Sequence, residues 1–107
     1  FNAGNAEVQW FNVEACIVFH MANAWQEGDN GEIVRLIGGR MNKFDFDGIL
    51  HFDVVKNRKN GYNVPRIYEW KLNTKTGEVQ ERVINDEYRD VEMPLIHPLY
   101  EGRKVKY

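Results

Sequence analysis

RIYEWKLNTKTGEVQERVI, residues 66–84, is the stretch that decides the fold. Tyr68, Trp70 and Leu72 alternate with Glu69 and Lys71, the two-residue period of a strand with one face turned inward. Asn73 to Gly77 (NTKTG) then supplies turn residues, and Glu78 to Ile84 returns as a second strand. The pattern predicts an antiparallel hairpin. Working outward toward the N-terminus, Cys16 to Trp25 reads as the strongest strand, with Ile17, Phe19 and Met21 on one face and Cys16, Val18, His20 and Ala22 on the other. Both faces look apolar enough for a central strand. The turn QEGDNG, residues 26–31, leads into Glu32 to Arg40, which makes a second hairpin with it. Val8 to Val13 is a further short candidate strand.

The remainder is less regular. Met41 to Pro65 is too long for an ordinary connection and reads as an excursion from the sheet, with Leu50 to Val55 as a short strand or helical turn inside it. Beyond Asn85, Pro94 and Pro98 bar a regular central strand. Two hairpins and an excursion give four or five strands, so the expected fold is all-β. Measured against propeller blades of four strands in roughly 40 residues, the chain is about two blades long, a partial propeller that cannot close by itself. It is read as one domain, residues 1–107.

Composition narrows the function classes. The 107 residues carry 14 Lys+Arg against 16 Asp+Glu, a net charge of −2, with 43% apolar residues. That is enough for a packed interior. The only dense basic patch is Lys56, Arg58 and Lys59, which argues against a nucleic-acid partner. A lone cysteine, Cys16, fits a reduced compartment, cytoplasmic or plastid, with any targeting segment upstream of Phe1 left open. Serine is absent, which excludes a serine nucleophile in this segment. No glycine-rich phosphate cradle occurs, since Gly38 and Gly39 read as a strand end.

The titratable candidates are His20, His51, His97, Glu14, Glu69, Glu92, Asp45 and Asp47. His20 stands out, because an imidazole within an apolar strand must find a hydrogen-bond partner or a metal. On residue chemistry alone a satisfied core histidine outweighs a metal ligand, and Glu92, in VEMP, reads as an exposed turn acid. Surface or packing roles fit His51 and His97.

Three ordered motifs change that balance. Phe19-His20-Met21-Ala22-Asn23-Ala24-Trp25, Tyr68-Glu69-Trp70-Lys71-Leu72-Asn73 with Lys75-Thr76-Gly77, and Glu92-Met93-Pro94-Leu95-Ile96 with Gly102-Arg103-Lys104 and Tyr107 together resemble the carotenoid cleavage oxygenase family, which includes retinal-pigment-epithelium isomerases and lignostilbene dioxygenases. The resemblance implies a seven-bladed β-propeller holding one ferrous ion, Fe2+, on four histidines. His20 matches one of those ligands. Glu92 matches a glutamate that accepts a hydrogen bond from a ligand imidazole and so orients His20, a pairing that fixes the tautomer and raises ligand basicity. The implied reaction is oxidative cleavage of a carbon–carbon double bond with O2, on an apolar polyene such as a carotenoid or apocarotenoid. Membrane-surface association of the parent protein is left open.

Asn23 and Trp25 are motif positions that read better as turn and packing residues. Met93 replaces the family's usual Phe, a volume-tolerant change. His97 stands where Asn or Asp is common and is not taken as an extra ligand. Met41 to Pro65 matches poorly, which puts the substrate rather than the chemistry in question. Two alternatives stand beside this reading: the same chemistry on lignostilbene-type phenolics, and a truncated, non-catalytic propeller piece. Cleavage against isomerisation stays open.

Overall fold

The computed structural model describes residues 7–47, 61–84, 87, 91 and 93–105. Their strands are β1 (Ile17–Glu27), β2 (Ile33–Met41), β3 (Arg66–Asn73) and β4 (Val79–Val83), followed by a single 3-10 turn at Pro98–Tyr100. They form one antiparallel sheet in the order β1-β2-β3-β4. This is the up-and-down meander of one propeller blade, open at both edges among the described residues, and the all-β expectation holds. Among the described residues the strands make one four-stranded sheet. No helix among the described residues is long and apolar enough to cross a membrane.

The turns are built by their own side chains. In NTKTG, the Asn73 Oδ1 accepts hydrogen bonds from the amides of Lys75 (2.9 Å) and Thr76 (3.1 Å), the local closure that favours Asn at the first turn position. Thr74 then ties this turn to the start of β2, its amide and hydroxyl donating to the Glu32 carbonyl at 2.8 and 3.0 Å.

The β2–β3 ladder runs without interruption from Ile33↔Asn73 to Arg40↔Arg66. Its apolar positions Ile37, Trp70 and Leu72 supply most of the described core, joined by Met41 at the end of β2 and Trp25 of β1. Tyr68 and Trp70, two apart on one face of β3, lie with ring centroids 6.0 Å apart. The Arg40 guanidinium sits 4.5 Å over the Tyr68 ring and bonds Glu81 of β4.

Three expectations are corrected. Val8 to Val13 forms no strand. Instead of adding a ladder, this segment lies across the sheet: the Gln9 amide donates to the Thr74 carbonyl (2.8 Å), the Glu14 backbone amide donates to the Glu81 carboxylate (2.9 Å), and Phe11 and Val13 line an apolar groove with Leu36, Trp70 and Leu72. Second, the strand that looked central is the sheet's edge. β1 pairs only with β2 among the described residues, and Ile17, Val18, Phe19 and Met21 are exposed. Third, Gly38 and Gly39 lie inside β2, not at a strand end. A Cβ on Gly38 would come within 2.7 Å of the Met21 sulfur and 3.0 Å of the His20 carbonyl oxygen, so the close approach of β1 requires glycine there. The candidate element at Leu50 to Val55 lies outside the described residues.

Candidate functional site on the edge strand

His20 sits in the irregular half of β1. Between Val18↔Arg40 and Met21↔Gly38, β1 advances one residue more than β2, and it does so again between Met21↔Gly38 and Asn23↔Ile37. Two bulges within six residues leave Phe19 and His20 opposite a single β2 position and Ala22 without a register partner of its own. Bulges of this kind bend a strand and re-aim side chains, and they concentrate beside active sites. His20 is exposed, its ring 6.5 Å from that of Phe19, which packs edge-on against Phe44 at 5.6 Å. An aromatic and a thioether therefore flank the imidazole on the edge of the sheet.

No group of three or more His, Cys, Asp or Glu among the described residues is arranged to hold a metal ion. The described residues therefore do not by themselves make a metal site. Glu92 and His51 lie outside the described residues. His97 caps the 3-10 turn, its Nδ1 accepting from the Leu99 amide at 3.3 Å, and stacks edge-on with Tyr100 at 5.9 Å. It has a structural role there.

Two further constellations flank the site; sequence reasoning named Asn23, Trp25 and Glu69 but not the partners they meet. Asn23, 8% exposed, donates through Nδ2 to the carbonyls of Tyr100 (3.3 Å) and Arg103 (3.0 Å) and accepts from the Gly102 amide through Oδ1 (3.0 Å). It thereby bonds the C-terminal turn to β1, and the structural role expected for this motif position is found. Trp25 is likewise buried, with its indole N–H on Glu27 at 2.9 Å.

The second is a chain of charges across one face. Lys104 reaches Glu27 at 3.2 Å, Glu27 meets Arg35 at 3.2 Å, and Glu69, 3% exposed, accepts from Arg35 at 3.0 Å and from Arg82. The Trp25 indole, then Lys104 and Arg35, hold the Glu27 carboxyl down at about 2, against a desolvation that pushes the other way. Alternation puts Glu69 on a polar face; on that face Glu69 itself is buried, while Lys71 is half-buried and Arg82 exposed. A signal was present in the sequence: Glu27, Arg35, Glu69 and Arg82 are mutually compensating charges once the hairpins pair.

The family model for retinal pigment epithelial membrane protein matches residues 2–107. Among curated proteins, the chain is 35% identical over 100 residues to the carotenoid 9,10(9',10')-cleavage dioxygenase of Crocus sativus, covering 94% of this chain and 17% of that protein. It is 32% identical over 100 residues to the carotenoid cleavage oxygenase of Mycobacterium tuberculosis strain H37Rv, covering 92% of this chain and 18% of that protein. It is also 32% identical over 93 residues to the isoeugenol monooxygenase of Pseudomonas putida, covering 84% and 18%. The chain spans less than a fifth of the length of these relatives.

Proposed function

Because the chain belongs to the retinal pigment epithelial membrane protein family, we propose that it is the part of an iron(II)-dependent dioxygenase that supplies one histidine ligand, His20, and that the protein containing it cleaves a carbon–carbon double bond of a carotenoid or apocarotenoid with O2. The observation that carries the reading is the placement of His20, an exposed imidazole at a double bulge on an edge strand, in a chain that matches relatives named for carotenoid cleavage over most of its length.

The donor chemistry fits. A neutral imidazole suits ferrous iron, and one donor per blade leaves the rest of the ligand set to other parts of the protein. When bound, the iron supplies the site at which dioxygen is activated. The residues of this chain do the remaining work. The bulge turns the His20 ring out of the regular ladder, with Phe19 and Met21 as its apolar neighbours on the strand. An apolar polyene meets the same exposed side chains without leaving a polar group unpaired. Glu92, two residues before Pro94, is proposed to hold the distal nitrogen of the His20 ring and fix its tautomer.

A second reading keeps the chemistry and changes the substrate to a phenolic alkene of the stilbene or propenylphenol class, which the likeness to an isoeugenol monooxygenase favours. Oxygen uptake by the full-length protein, with a carotenoid and a stilbene offered in parallel, separates the two. The metal assignment is tested by His20→Ala, for which bound iron and turnover should both be lost; stoichiometric iron in that variant would falsify it. Glu92→Gln should weaken iron binding or turnover roughly 10- to 100-fold.

A further inference from the structure

We propose that Asn23 is a positioning residue for His20, locking the double bulge of β1 in one register by its bonds to the C-terminal turn. This rests on the reading of His20 as a metal ligand.

The need for such a lock follows from the ladder. A regular strand is held in register by its own hydrogen bonds, and a slip of one residue turns every side chain to the opposite face. From Val18 to Asn23 β1 has two such slips built in. The ladder there no longer specifies which residues are the extra ones, and a bulge displaced by one position would carry the His20 ring away from its aim. Gly38 permits the close approach of Met21 and His20, but being featureless it selects no register.

Asn23 is the first residue after the second bulge, and its amide is saturated from outside the sheet. Both donors and the acceptor meet three separate backbone groups of residues 100–103, which lie 77 to 80 residues away in the chain. The turn that receives them is itself tight: the Tyr100 amide bonds the His97 carbonyl at 2.8 Å, and the Arg103 amide bonds the Tyr100 carbonyl at 3.1 Å. Gly102, at φ 69, has the left-handed backbone that aims its N–H at Asn23. Lys104 then reaches Glu27 near the far end of β1. Moving Asn23 by one residue in either direction would break all three of its bonds at once and leave buried polar groups unpaired. The C-terminal turn thus acts as a gauge against which the bulge, and with it His20, is set.

Metal binding reads this directly. Full-length protein stripped of metal is titrated with cobalt(II), following both affinity and the visible d–d spectrum. Asn23→Ala should bind cobalt about 10- to 100-fold more weakly, the range for loss of a group that orients a ligand, with an altered spectrum. Thr74→Val, which removes the 3.0 Å bond to Glu32 far from His20, should lower thermal stability and leave cobalt affinity and spectrum as in wild type. If Asn23→Ala does not fold, Gly102→Ala strains the receiving turn while leaving β1 intact, and should shift the spectrum in the same direction. Wild-type cobalt affinity and spectrum in a folded Asn23→Ala protein, or in Gly102→Ala where that is the variant read, overturn the proposal. Wild-type cobalt binding by His20→Ala would instead overturn the ligand assignment beneath it.

Discussion

The two ladders on either side of β2 are opposites. Toward β3, eight consecutive pairs run in perfect step, and buried Trp70 and Leu72 fill the pleats. Toward β1, the register breaks twice in six residues and the apolar side chains Val18, Phe19 and Met21 stand exposed. One strand serves both, and the contrast shows how a sheet separates holding from presenting. The regular half contributes packing. The irregular half gives up ladder bonds so that a particular side chain faces outward, and it recovers order through side-chain bonds from elsewhere in the chain.

The comparison breaks most sharply at its two extremes. On the presenting side, His20→Ala should remove essentially all bound iron from the full-length protein, measured by metal analysis after gel filtration, while the metal-free form melts close to the metal-free wild type. On the holding side, Trp70→Ala should cost about 3–5 kcal/mol, because a large buried ring is lost from a ladder that cannot collapse around the gap. Urea denaturation measures it, and a loss below 1 kcal/mol would mean that the regular half is not the source of stability.

Smaller effects sharpen the boundary between the halves. Glu69→Gln removes the charge that both Arg35 and Arg82 address, and should cost about 1–3 kcal/mol with little change in metal affinity. Acid should act through Glu27. Its folded-state value is depressed from 4.5 to about 2, so its contribution is fully present above about pH 4.5 and is lost progressively as the pH falls toward 2. Denaturation midpoints across that window should show the fall, and Trp25→Phe, which deletes the largest cause of the depression, should make it shallower. An identical acid profile in that variant would remove Glu27 from the account.

Much of this was legible in the residues. The period-two runs at 66–84 and 16–40 gave four strands and both hairpins, since alternation and turn chemistry are local. Val8 to Val13 misled because apolar alternation is satisfied equally by pairing into a ladder and by crossing over a sheet face. β1 misled for a related reason. Apolar residues on both faces signal a central strand when water is the only alternative, and here they border an edge. For the site, residue chemistry ranked His20 as unusual and the motif resemblance gave it a metal role. The bulge that aims it left one trace in the sequence, Gly38-Gly39 within an apolar strand.

The sequence by itself determined the four strands of the sheet, the turns of both hairpins, and that one histidine stands in a motif with Asn23 and Trp25 beside it. Those follow from interactions within a few residues. Only the tertiary structure decided that His20 lies at a double bulge on an edge, that Asn23 meets residues 100–103, and that Glu27, Arg35, Glu69 and Arg82 form one chain of charge. Register and long-range contact depend on which strands come together in space, and residues some 80 positions apart carry no local mark of their partnership.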